Sequence, residues 1–245
     1  MDGRAGATRP VRGGRRALIA MDADTTSRPK VADTLASIEN THVEEAYARW
    51  APVYDLVFAA VMRPGRKAAA AAASREGGRV LDVGVGTGLE LPMFSRGTRL
   101  VGVDLSEPML RRAHNRVTNE RLANVEGLVK MDAMNLAFPD ASFDCAVAPF
   151  VLTVVPDPHA TLDELARVVK PGGEIVLVNH VGAETGPIAA IEAWMGKHSA
   201  NLGWRPEFPW SVIGDWIAGR NDVVLTERRR LSPFGLFTLA RMARR

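Results

Sequence analysis

A single cysteine, Cys145, occurs among 245 residues, so no internal disulfide can form. It lies in the apolar run Phe143 to Phe150, which reads as a strand. A lone thiol there is expected to be buried and inert, and a reduced compartment suits it. No His/Cys cluster has metal-ligand spacing, so no metal is expected. No apolar run approaches the roughly 18 residues of a spanning helix. The stretch Val11 to Met21 is broken by arginine and has no apolar centre of the kind a secretory signal needs. A cytoplasmic protein is therefore expected. There is no internal repeat. With 47% hydrophobic and 24% charged residues, the chain suits one large α/β domain with extensions.

The charge is uneven. Met1 to Lys30 holds seven Arg or Lys against three Asp, and Arg220 to Arg245 holds seven Arg against Asp222 and Glu227. The net charge is only +3, so the middle is acidic. Two basic ends suit contact with an anionic surface, either nucleic acid or an anionic leaflet. Plain solvation of charged termini is the alternative.

Residues 1–38 are rich in Arg, Gly, Asp and Thr without an apolar period and read as a disordered basic tail. Met21 is an alternative start. From about Asn40, Val43, Tyr47, Trp50, Tyr54, Val57, Phe58 and Val61 recur mostly at steps of three and four, a helical stripe interrupted at Pro52. Arg66 to Ser74 is an alanine-rich helical stretch. Residues 39–76 thus form a helical cap, and residues 77–245 form the main domain.

There the rhythm becomes strand, turn, helix. Strands are predicted at Arg79–Val83, Thr98–Leu105, Asn124–Met131, Phe143–Ala148 and Glu174–His180. Helices are predicted at Glu107–Val117, with Ser106 as N-cap, and at Ala160–Val169, stopped by Lys170-Pro171-Gly172-Gly173. Helices at Ile188–Lys197 and Trp210–Ala218 precede a closing strand pair, Val223–Arg228 and Gly235–Arg241. Such alternation means a doubly wound, mostly parallel α/β sheet with helices on both faces.

The segment Val80-Leu81-Asp82-Val83-Gly84-Val85-Gly86-Thr87-Gly88 runs a buried strand into three alternate glycines. Glycine there permits a tight turn and close approach of a ligand to backbone. The dinucleotide pattern G-x-G-x-x-G fails in either register, because Leu89 and Leu91 stand where its third glycine belongs. Twenty residues after Gly84, Asp104 ends the second strand, and a carboxylate there can accept hydrogen bonds from both ribose hydroxyls.

The G-x-G-x-G spacing resembles the first motif of class I S-adenosylmethionine methyltransferases. Asp104-Leu105-Ser106-Glu107-Pro108-Met109-Leu110, Met131-Asp132-Ala133, Leu136 to Asp144 and Val169-Lys170-Pro171-Gly172-Gly173 match later motifs of that family in order, over about residues 44–182. The resemblance implies a seven-stranded Rossmann-like fold with an N-terminal helical extension. It implies S-adenosylmethionine as cofactor, held by Asp82, Gly84, Gly86, Gly88, Asp104, Leu105, Met109, Asp132, Ala133 and Phe150.

Ala46 to Phe58, Val151 to Pro158, Val178-Asn179-His180 and Leu202 to Pro209 further resemble the bacterial phosphatidylethanolamine N-methyltransferases of the soluble, peripheral type. This implies methylation of a lipid amine toward phosphatidylcholine. The implied partners are a phospholipid and an anionic membrane surface on the inner face of the cell membrane, not nucleic acid. Tyr54 would lie near the sulfonium, and His180 would act as a base or hold the phosphate. Tyr47 and Trp50 would offer aromatic faces to a methylammonium. Arg49, Arg63 and Arg66, with Lys67 beyond, would meet the bilayer. A quinone-ring carbon, sterol or small metabolite is the alternative acceptor. A nonenzymatic scaffold is a third reading, against which the intact glycine motif and its acids argue.

Overall fold

The computed structural model describes residues 59–181, 208–231 and 235–245. The basic tail expected at residues 1–38, the cap up to residue 58 and the helix expected at Ile188–Lys197 lie outside them.

Helix α1, Ala59–Glu76, is one continuous helix with Pro64 inside it. Sequence periodicity divides this stretch in two. Pro64 falls in the second turn, where it removes only the bond to the carbonyl four residues earlier. Ala69, Ala70, Ala72 and Ala73 are buried. Their small side chains let α1 lie close against the sheet.

Seven strands follow: β1 Arg79–Val83, β2 Arg99–Asp104, β3 Val125–Lys130, β4 Phe143–Pro149, β5 Val169–His180, β6 Val223–Leu231 and β7 Phe237–Arg244. They form one sheet in the order β3-β2-β1-β4-β5-β7-β6. The first five are parallel, and β7 is antiparallel to β5 and to β6. Helices α2, Glu107–Asn119, and α3, Pro158–Val168, provide crossovers, and α4, Ser211–Ala218, precedes β6. The seven-stranded, doubly wound fold implied by the sequence is present.

Side chains on alternate strand positions enter opposite layers. Leu81, Ala146 and Leu177 pack with Leu162, Leu165 and Trp216 on one face. Val80, Val147 and Val178 pack with the α1 alanines, Leu110 and Ala113 on the other. Cys145 is fully buried in that second layer.

Several boundaries differ from the sequence reading by a few residues, and two of them have a local cause. Helix α3 begins at Pro158 rather than Ala160, because the Asp157 side chain accepts hydrogen bonds from the N–H groups of His159 and Ala160. Strand β5 begins at Val169, so Lys170 to Gly173 bulge within it. Phe143 pairs with Val169 and Cys145 already with Glu174. Gly173 fits there because a Cβ would come within 2.6 Å of the Asp144 carbonyl oxygen.

The chain order reverses between β1 and β4. Open α/β sheets hold ligands at such a point, beyond the carboxyl ends of the strands.

Candidate active site

A cleft opens at that reversal, walled by the ends of β1, β2 and β4 and by Arg66 of α1. It spans about 990 Å³ of space, part of it open to solvent.

The loop after β1 folds back onto β2, with the N–H groups of Gly84 and Val85 both donating to the Val103 carbonyl (2.8 and 3.0 Å). Gly84 has φ +72°, and a Cβ there would stand 2.4 Å from Val151 Cγ2. Gly88, also at positive φ, faces Leu91 and Ala113 and is not part of the cleft wall. The first two glycines of the motif therefore shape the cleft, and the third packs the loop against α2.

Asp104 stands at the tip of β2. Its Oδ2 accepts the Gly86 N–H and its Oδ1 the Ser106 N–H, each at 2.8 Å. One carboxylate thus joins the glycine loop to the start of α2. Ser106 occupies the N-cap position, but its hydroxyl makes no capping bond. That hydroxyl is buried on the cleft wall and has no hydrogen-bond partner among the described residues. Leu105 and Met109 add apolar wall. Asp132 accepts the Met134 N–H at 2.9 Å, and it borders the cleft with Ala133.

Phe150 follows β4 with φ +65°, a costly conformation for an aromatic residue. It is held by its N–H bond to the Val178 carbonyl (2.6 Å) and by an edge-on contact with Phe237, ring centres 5.0 Å apart. The Arg66 guanidinium lies 5.9 Å from its ring centre.

Arg66 corrects an expectation. It was expected at the membrane, yet it is 5% exposed. Its Nε lies 3.1 Å from Glu90 Oε2, and the pair borders the cleft. Glu90, which sequence reasoning missed, closes the glycine loop two residues after Gly88. Burial pushes its carboxyl up to about 7 against the opposing pull of Arg66. Asp82 is fully buried on β1, off the cleft wall, and neither carboxylate oxygen has a hydrogen-bond partner among the described residues. Burial chiefly, then Glu90 and Asp104, push it well above the usual carboxylate range.

His180 ends β5 but is not among the cleft residues. Its ring is buried, with Nδ1 2.8 Å from the Leu236 carbonyl oxygen. Arg63 and Lys67 are exposed on α1. Tyr47, Arg49, Trp50 and Tyr54 lie outside the described residues. Val151, Val154, Val155 and Pro156, from the segment that carries the finer resemblance, complete the wall.

The cleft fits the nucleoside sulfonium that the sequence resemblance implies. It offers a carboxylate and a hydroxyl for a sugar, apolar wall for a base and glycine backbone for an extended tail. Among the described residues no group of His, Cys, Asp and Glu has the arrangement of a metal site.

Comparison with known proteins agrees. Residues 81–177 match the model of a methyltransferase domain family. The chain is 44% identical over 204 residues to a phosphatidylethanolamine N-methyltransferase of Cereibacter sphaeroides, covering 83% of this chain and 98% of that protein. It is 35% identical over 206 residues to a demethylmenaquinone methyltransferase of Deinococcus radiodurans, covering 76% and 83%. Among solved structures it resembles an S-adenosylmethionine-dependent methyltransferase, possibly a histamine N-methyltransferase, of Thermotoga maritima. The TM-score is 0.61 at 22% identity, over 82% of this chain and 99% of that one. At that identity the likeness speaks for the fold alone.

Proposed function

The chain belongs to the class I S-adenosylmethionine-dependent methyltransferases, and from that premise we propose that it methylates the amine of phosphatidylethanolamine, and of its mono- and dimethyl derivatives, toward phosphatidylcholine. The observation that carries this reading is the 44% identity to a relative of that name across nearly all of its length.

Bound S-adenosylmethionine supplies an electrophilic methyl group on a positively charged sulfur. The protein's share is to position and to exclude water. Asp104 accepts the ribose hydroxyls. The backbone around Gly84 and Gly86 carries the amino-acid tail, with Asp82 behind it. Leu105, Met109, Asp132 and Ala133 would enclose the base, and Phe150 would add to the wall that holds the cofactor. Gly88 serves by packing the loop.

The acceptor nitrogen attacks through its lone pair, so an ammonium headgroup must first lose its proton. An apolar wall favours the neutral amine by desolvation. Tyr54, with Tyr47 and Trp50, gives the growing methylammonium aromatic faces worth roughly 0.5–2 kcal/mol each. His180 ends β5, where it would act as a base or hold the phosphate.

Lifting about thirty methylenes from a bilayer costs over 20 kcal/mol at roughly 0.8 each. The reaction therefore takes place at the membrane surface, on the cytoplasmic side. Arg49, Arg63 and Lys67 face anionic lipid there. Among the described residues no helix is long and apolar enough to cross a membrane.

The likeness to a demethylmenaquinone methyltransferase makes a quinone-ring carbon the second reading. Labelled donor, supplied with vesicles containing ethanolamine, monomethyl or dimethyl headgroups and separately with a demethylated quinone, distinguishes the two. Label is expected in all three lipids. If the donor binds and none of them accepts label, the lipid reading fails.

A further inference from the structure

The cleft holds more acid than its buried arginine balances. Glu90, Asp104 and Asp132 line it, and Asp82 stands fully buried behind. Against these carboxylates α1 contributes only Arg66, 3.1 Å from Glu90. The loop and α2 contribute the backbone N–H groups of Gly86 and Ser106, both directed at Asp104. The Ser106 hydroxyl, 3% exposed on the same wall and without a hydrogen-bond partner among the described residues, independently marks this wall as one that meets a polar ligand.

Donor and product differ by one charge. As the amine nitrogen bonds to the methyl carbon, the carbon–sulfur bond breaks and its electron pair stays on sulfur. The sulfonium becomes a neutral thioether, and the positive charge passes to nitrogen.

We propose that Glu90, held in place by Arg66, is a specificity-determining residue that makes the cleft favour the positively charged donor over its demethylated product. With Glu90 ionised, Arg66, Glu90, Asp104 and Asp132 leave two net negative charges on the cleft wall. With Glu90 protonated, one remains. Burial pushes the Glu90 carboxyl up to about 7, within reach of neutrality. Product release is then aided by the same carboxylate that favours the donor. This holds whichever molecule accepts the methyl group, so its failure would leave the lipid reading untouched.

Calorimetric titration of S-adenosylmethionine and of S-adenosylhomocysteine into the full chain tests it, between about pH 5.5 and 7.5, below the titration of the ligands' own amines. The ratio of product Kd to donor Kd is expected to rise by about tenfold across this range. In Glu90→Gln the ratio stays flat. A donor analogue carrying a protonated amine in place of the methylsulfonium is expected to follow the donor in the unsubstituted protein, a measurement that does not depend on the variant folding. A pH-independent ratio, an equally steep rise in Glu90→Gln, or an amine analogue that follows the neutral product overturns the proposal.

Discussion

Asp104 does two jobs with one carboxylate, and the jobs are separable. Its two oxygens hold the N–H groups of Gly86 and Ser106, so its removal loosens both the loop and the start of α2. In the proposed site it also meets the ribose. Two charge-assisted hydrogen bonds are worth about 1.5–3 kcal/mol each. Asp104→Ala is therefore expected to weaken donor binding by at least about 100-fold, read by calorimetry. Affinity within threefold of the parent would exclude it from the cofactor site. Glu90 has a consequence for stability as well. Its folded-state value of about 7 lies above the ordinary glutamate value of 4.5, so the folded chain binds more protons than the unfolded chain between them. The resulting stabilisation is complete below the unfolded value and disappears as pH rises through 7. The melting temperature of the ligand-free protein should fall between about pH 5 and 7.5, with a shallower fall in Glu90→Gln. Asp144, Asp222 and Glu227 are shifted downward by their hydrogen bonds to backbone or arginine. Their contributions are lost only in more acidic solution.

At the scale of elements, the catalytic layer depends on α1. Its alanine face is what allows a helix to approach β4 and β5 closely enough for Arg66 to enter the cleft. Ala73 is fully exchanged for core contact, with 0% exposure. Ala73→Leu is expected to cost about 1–3 kcal/mol by overpacking, measured by urea denaturation, and to weaken donor binding in parallel because Arg66 and Glu90 shift with the helix. Lost stability with unchanged donor affinity would show that α1 and the cleft are uncoupled. The inner parallel strands were legible because each holds a short apolar run close to Gly, Pro or Asp, and strands buried on both faces need such runs, whereas the edge strand β3 is only partly buried. The start of β5 was not legible. Lys170-Pro171-Gly172-Gly173 carries every local sign of a turn, and only pairing with β4 on both sides of it draws those residues into the strand.

At the scale of the whole molecule, the exposed cations of α1 bear on the proposed meeting with a membrane. A basic residue near anionic lipid contributes about 1 kcal/mol. Arg63→Glu with Lys67→Glu is expected to reduce sedimentation with anionic vesicles by tenfold or more, as both charges are reversed, while donor affinity is unchanged. Equal sedimentation would remove these two residues from the interface. By itself the amino-acid order determined the sheet class, the glycine turn and the acid at the tip of β2, because each depends on local geometry: side-chain alternation, positive φ, and a fixed spacing along the chain. It did not reveal that Arg66 turns inward to Glu90, that Gly88 packs instead of lining the cleft, or that His180 Nδ1 meets the Leu236 carbonyl oxygen. Those outcomes depend on which distant residue lies opposite, and on whether a charge finds its counterpart inside the fold or in water. Only the assembled α1, sheet and loop decided that.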